Sequence, residues 1–244
     1  CDQVFHSDEL AQVLKQNKHQ QRKIYTDKST WALARKGLQG LHPDTATLDD
    51  ALETLRTLKS PGEIKWLNEA NHISAQAHLA VMKAVRPGLR EYEAQALFEY
   101  ACHGAGLKHL AYPTIAATGE NGAVLHYRHN DAVLKSGQLF LIDAGGELNG
   151  YAADITRTYP VSDKFTQRQR DIYSIVLDTQ KECIEKARPG ANSAELHIYS
   201  MKKLSEGLRD LGLLRVSGDT AVESGAIRLF YPHGLGHLLG LDVH

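Results

Sequence analysis

The sequence predicts an α+β domain made of two similar halves. Three observations predict it. A helical segment, an Arg-Pro-Gly stop and a second helical segment occur twice, around Arg86-Pro87-Gly88 and around Arg188-Pro189-Gly190. Strand-like segments fill the interval between the two helix pairs. Asn149-Gly150 joins two of those segments, and this dipeptide is the strongest short-range hairpin signal. The repeat has a second reading, because Pro-Gly after a helix is common. Taken as a duplication, it puts a site between the halves.

Composition narrows the function classes. The chain has 244 residues, 42% hydrophobic and 23% charged, with net charge −1. That is an ordinary globular composition, with no basic footprint for nucleic acid or an anionic membrane. No apolar run reaches the roughly 20 residues of a membrane span. Cys1, Cys102 and Cys183 are widely spaced and odd in number, so they read as reduced thiols of a cytoplasmic protein. The chain starts without Met and stops at His244 inside a histidine-rich motif. The expectation is a fragment, with residues 1–47 the remnant of an N-terminal domain plus linker and 48–244 the main domain.

The elements follow in order. Residues 7–16 predict a short helix, 22–26 a short strand and 38–47 a loop. Ser60-Pro61-Gly62-Glu63 has capping-box spacing with Pro at the first helical position, so a helix runs to about Val85. A second helix covers 91–103, with Tyr92, Leu97, Phe98 and Ala101 as its apolar side. Strands are expected over 111–118, 123–128, 138–145 and 151–159. Thr166 and Gln169 form another capping box, opening a helix over 167–187 with Ile172, Ile175, Val176 and Ile184 as its apolar positions. The last helix covers 193–212, with Leu196, Tyr199, Leu204, Leu208 and Leu211.

The hairpin carries the first chemical signal. A two-residue turn pairs Leu148 with Tyr151, sets Gly145 opposite Asp154 and sets Asp143 opposite Thr156. The two aspartates then share a face, roughly 7–8 Å apart at the backbone, and can converge on one ion. Gly145 is expected to leave open space there. The same spacing also fits two acids on a solvated face, or one that caps a turn.

The second signal is YPHGLGHLLGLDVH, residues 231–244, which carries His233, His237 and His244. It lacks the helical His-Glu-x-x-His arrangement. Its glycines predict an extended or turning segment that approaches something closely. Three imidazoles so near together point to metal or substrate contact. Carboxylate and imidazole donors without thiolate suit Mn²⁺, Co²⁺, Fe²⁺ or Zn²⁺, and a pair of such ions activates water and polarises a carbonyl. His126, in the VLHY segment, is a further candidate, with a structural role as its other reading.

These residues resemble the pita-bread metallopeptidases, in the proline-specific branch of Xaa-Pro aminopeptidases and prolidases. The likeness rests on residues 120–127, 143–161 and 233–244, with residues 59–64 resembling the start of the first catalytic-domain helix. It implies a duplicated fold with a curved antiparallel sheet and flanking helices, truncated at its C-terminus. It also implies two divalent ions, manganese first, with cobalt or zinc as alternatives. Asp143 would chelate one ion, Asp154 would bridge both and His237 would ligate the other. His126, His233 and His244 would surround a small peptide with proline at its second position. The family supplies two more glutamate ligands after the last histidine, and neither Glu147 nor Glu223 matches them. The expectation is therefore that these residues alone are inactive or metal-poor. Family members often associate, so a homodimer is expected. A non-catalytic binding protein and a creatinase-like metal-free hydrolase share the fold. Both are expected to lack the aspartate ligands.

Overall fold

The structure is a computed structural model that describes Glu9, Tyr25, Thr26 and residues 43–244. All but Glu9 of the helix expected over 7–16, most of the strand over 22–26 and half of the loop over 38–47 lie outside the described residues. The chain divides into two compact units, 1–62 and 63–244.

In the first unit, Tyr25 bridges Asp44. Helix α1, Thr47–Thr57, was not anticipated. Its start is fixed by Asp44, whose Oδ1 accepts from the amides of Ala46 and Thr47 at 3.1 and 2.9 Å.

Helix α2 (Pro61–Ala84) begins with proline as its capping signal requires and buries Ala70, Ser74, Ala77, His78 and Val81 along one stripe. Gly88 takes a φ of 92° in the Arg-Pro-Gly stop, and its amide donates to Leu134 O. Helix α3 (Glu91–Gly104) buries Glu91, Ala94, Phe98 and Cys102. Tyr92, expected on its apolar side, is exposed. The buried stripe starts one residue earlier, at Glu91.

Among the described residues, six short strands form two antiparallel sheets. Strands β1 (His109–Leu110), β4 (Gly146–Leu148) and β5 (Tyr151–Ala152) make one; β2 (Ile115–Thr118), β3 (Leu139–Asp143) and β6 (Thr156–Pro160) make the other. The hairpin register is the expected one, with Leu148 opposite Tyr151 and Asp143 opposite Thr156. The β3–β6 and β4–β5 pairings share one register. The expected strand over 111–118 is split. Four residues, 111–114, lie between Leu110 and Ile115, but only Ala144 and Gly145 lie between their partners Gly146 and Asp143. The surplus bulges out of the sheet and carries Tyr112.

No strand forms over 123–128. A 3-10 turn covers Gly119–Ala123 and an irregular segment follows. Glu91 explains the difference. Its buried carboxylate accepts from Thr118 N at 2.6 Å, Asn121 Nδ2 at 3.0 Å, Tyr127 OH at 2.9 Å and Ala132 N at 3.0 Å. Those bonds hold both ends of the segment and the Tyr127 side chain, while its own amides turn back locally, Val124 N to Asn121 O at 3.0 Å and Tyr127 N to Val124 O at 3.2 Å.

The main core lies where α2 and α3 cover β2, β3 and β6, built on Val81, Phe98, Leu107, Phe140 and Ile142. After β6, α4 (Gln167–Lys186) and α5 (Ser193–Asp210) repeat the helix, Arg-Pro-Gly, helix arrangement, and Gly190 has a φ of 90°. Their contact is made by small residues. Thr179, Ser200 and Ser205 are buried, each hydroxyl donating to a carbonyl of its own helix. A Cβ on Gly207 would fall 2.5 Å from Ile175. The expected apolar residues Val176 and Ile184 are instead 53% and 62% exposed. Leu208, Leu214, Ala221 and Ile227 form a second cluster with α6 (Gly218–Glu223) and a 3-10 turn at Ala226–Leu229.

Candidate metal centre

Asp143 is the last residue of β3, and Asp154 lies between β5 and β6, opposite Gly145. Both are half-buried. The bulge drops the Tyr112 hydroxyl between them, 2.5 Å from Oδ1 of Asp143 and 2.9 Å from Oδ1 of Asp154. One hydroxyl has one proton, so it donates to one carboxylate at a time. Burial raises the Asp143 pKa; the Tyr112 hydrogen bond opposes that rise and the Asp154 charge adds to it. Burial, then the two carboxylates, holds the Tyr112 hydroxyl far above the usual phenol range.

Gly145 does not leave the open space expected of it. A Cβ there would lie 1.8 Å from Ala153 O and 2.5 Å from Ala153 C. Glycine is required because the opposite strand occupies the volume.

The tail from Tyr231 to His244 forms neither helix nor strand, in keeping with its glycines. It is tied down where Ala152 N donates to Gly240 O at 2.9 Å. His237 Nε2 then lies 3.2 Å from Oδ2 of Asp154. The other ring nitrogen, Nδ1, lies 2.8 Å from Leu238 O, and only a protonated nitrogen donates to a carbonyl. With its proton on Nδ1, His237 turns an Nε2 lone pair toward the carboxylate oxygen; with its proton on Nε2, it donates to Asp154 instead. The first arrangement leaves Nε2 and Asp154 Oδ2 as two donor atoms that a cation could share.

The other candidates are arranged differently. His244 packs edge-on against His237, ring centres 5.2 Å apart. His233 packs edge-on against Tyr231 at 4.8 Å, its Nδ1 2.8 Å from Gly234 O. His126 is exposed, at a φ of 54° in a turn and not at the end of a strand as expected. Thus Asp143, Asp154, His237 and His244 form one chain of contacts through Tyr112 and Asp154, and His126 and His233 stand outside it.

The donor types fit a divalent ion of the manganese-to-zinc series. Their spacing does not close: among the described residues, no three His, Cys, Asp or Glu side chains make a ready cage. A cavity of about 180 Å³ borders Ala75, His78, Leu79, Met82, Ile155 and Arg157, and none of the expected ligands lines it.

Sequence reasoning missed Tyr112, although Tyr112-Pro113 interrupts a strand-like run and proline in a strand marks an edge or a bulge. It also missed Glu91, Ser74 and His78, which look like ordinary helix residues until the sheet is in place.

The sequence profile described as Metallopeptidase family M24 matches residues 65–244. The chain belongs to metallopeptidase family M24. Similar family members include the Xaa-Pro aminopeptidase of Haemophilus influenzae, 45% identical over 79% of this chain and 45% of that protein. The Xaa-Pro aminopeptidase of Escherichia coli is 41% identical over 86% of this chain and 48% of its own length. Among solved structures, Pseudomonas aeruginosa aminopeptidase PepP superposes with a TM-score of 0.80 at 41% identity, covering 87% of this chain and 48% of that one. A zinc-substituted Escherichia coli aminopeptidase P in complex with product gives 0.75 at 42% identity, covering 78% and 43%. The chain thus spans about half the length of the relatives it matches. The fold is the α+β pita-bread fold of this family, as the resemblance implied.

Proposed function

We propose that this chain carries part of the catalytic site of an Xaa-Pro aminopeptidase, which hydrolyses the bond between an N-terminal residue and proline. Asp143, Asp154 and His237 are read as ligands of two divalent ions, manganese first, with Asp154 shared between them. When bound, such ions supply Lewis acidity at the scissile carbonyl and lower the pKa of water. The single observation that carries the reading is Asp154, which meets Tyr112 on one oxygen and the Nε2 face of His237 on the other. A carboxylate that offers both oxygens to different groups is the donor a bridging position needs.

The remaining histidines are read as substrate-side groups. His233, with its Nδ1 committed to Gly234 O, keeps Nε2 for a peptide. His244 abuts His237 and would face the reacting carbonyl. His126, on its exposed turn, would assist substrate binding or proton movement. The names of the relatives favour an aminopeptidase over a prolidase. Cytoplasmic location and a homodimer complete the reading; among the described residues no helix is long and apolar enough to cross a membrane.

The test is hydrolysis of an Xaa-Pro dipeptide and an Xaa-Pro-Xaa tripeptide by the whole protein loaded with Mn²⁺. The tripeptide should be cut faster, and Asp154→Asn should abolish turnover. A protein that takes up no Mn²⁺, Co²⁺ or Zn²⁺ and cuts neither peptide would sink the reading.

A further inference from the structure

The hairpin is weakest where β3 passes into β4, and both aspartates flank that point. Residue pairs on either side of Gly145 make one bond across the hairpin: Ala144 N donates to Ile155 O at 3.1 Å, and Ala153 N donates to Gly146 O at 2.9 Å. The other backbone group of Ala144 and that of Gly146 turn to α2. Ala144 O meets His78 Nε2 at 2.9 Å, and Gly146 N donates to Ser74 Oγ at 3.0 Å. Ser74 and His78 are one helical turn apart and are 0% and 3% exposed.

We propose that Ser74 and His78 are positioning residues that grip the peptide groups on both sides of Gly145 and so set the spacing of Asp143 and Asp154. The inference rests on the metal-centre reading above and deepens it. A buried serine and a buried histidine are costly on a helix face unless their polar atoms are used. Here Ser74 Oγ and His78 Nε2 are used on two backbone groups that the break withdraws from the sheet ladder, while His78 Nδ1 is buried without a partner. His78 must carry its proton on Nε2 to donate to a carbonyl. Phe98 packs edge-on against the ring at 5.0 Å and fixes its plane. The grip is rigid because α2 is long and anchored in the main core through Ala77 and Val81. Asp143 is joined directly to Ala144, and Asp154 faces Gly145, so a shift of either gripped group moves one carboxylate against the other. Tyr112 spans both carboxylates and reports that spacing.

The variants Ser74→Ala, His78→Phe and His78→Gln test the idea. Phenylalanine keeps the ring and loses the donor, whereas glutamine loses the ring and keeps an N–H near the Nε2 position. Crystal structures and Mn²⁺ titration calorimetry are read together on the whole protein. His78→Gln should keep both Tyr112 contacts and bind Mn²⁺ nearly as the parent does. His78→Phe and Ser74→Ala should lose one of those contacts and bind Mn²⁺ at least about tenfold more weakly, the scale for groups that orient metal ligands. The reverse order, with His78→Phe intact and His78→Gln impaired, would overturn the proposal and leave His78 as packing alone. If the parent binds no Mn²⁺, the metal reading fails separately, and the Tyr112 contacts in the variant structures still decide for or against the grip.

Discussion

Gly145→Ala is the substitution with the most decisive expected outcome. The added methyl carbon would sit 1.8 Å from Ala153 O, a backbone atom with no rotamer to retreat into. Ordinary non-bonded contact needs roughly 3.5 Å, so the strands must part by about 1.5 Å or more. Overpacking of this kind costs about 1–3 kcal/mol. Parting the strands also weakens the bonds from Ala144 N to Ile155 O and from Ala153 N to Gly146 O, worth about 1 kcal/mol each. The sum is about 3–5 kcal/mol, or a fall in Tm on the order of 10 °C for a chain of this size. Urea unfolding followed by far-UV circular dichroism measures it, with Gly122→Ala as the control, because a Cβ there meets only Leu141 Cβ at 3.9 Å. A loss of less than about 1 kcal/mol for Gly145→Ala would refute the reasoning, because overpacking alone should exceed it.

Three further outcomes follow from the same geometry. Glu91→Gln turns one of the two acceptor oxygens into a donor facing donors, and should cost about 3 kcal/mol in urea unfolding, with faster amide exchange at Thr118 or Ala132. Tyr112→Phe removes the hydroxyl shared by the two aspartates and should destabilise the metal-free protein by about 2 kcal/mol; thermal melts in EDTA check this. For His78, burial holds the pKa below the usual 6.5, opposed by the Ala144 hydrogen bond and reinforced by the Arg157 charge. The unfolded chain takes up a proton below pH 6.5 and the fold resists it, so stability is complete above 6.5 and drains away as pH falls toward the lowered value. The stability gap between the parent and His78→Gln should narrow between pH 7.5 and 5, and a constant gap would contradict the assignment.

The parts of the fold legible in the sequence are those fixed by local chemistry. Asn149-Gly150 sets the hairpin register because a two-residue turn allows only one, and the pairing of Asp143 with Thr156 follows from it. Both Arg-Pro-Gly stops end helices where proline and a left-handed glycine must. What stayed hidden depends on distant partners. The segment over 123–128 is pinned by Glu91, more than thirty residues upstream, through the Tyr127 hydroxyl. Part of the α4 face was misread, with Val176 and Ile184 exposed and Thr179 buried, because a hydroxyl that bonds back to its own helix packs as closely as a small apolar group. Gly145 was rightly singled out, but for the opposite cause: the position is crowded. In the candidate site, the two acids and His237 were identifiable as a set, whereas Tyr112 was visible only once the bulge placed it between them.

The bond from Ala152 N to Gly240 O has a bearing on solubility. Strand β5 is the outer strand of its sheet, and Ala152 is buried beneath the histidine tail. An uncovered outer strand offers its peptide groups to any other chain that passes. The tail thus shields β5 as well as carrying imidazoles, and peeling it away should turn that strand into a seed for self-association.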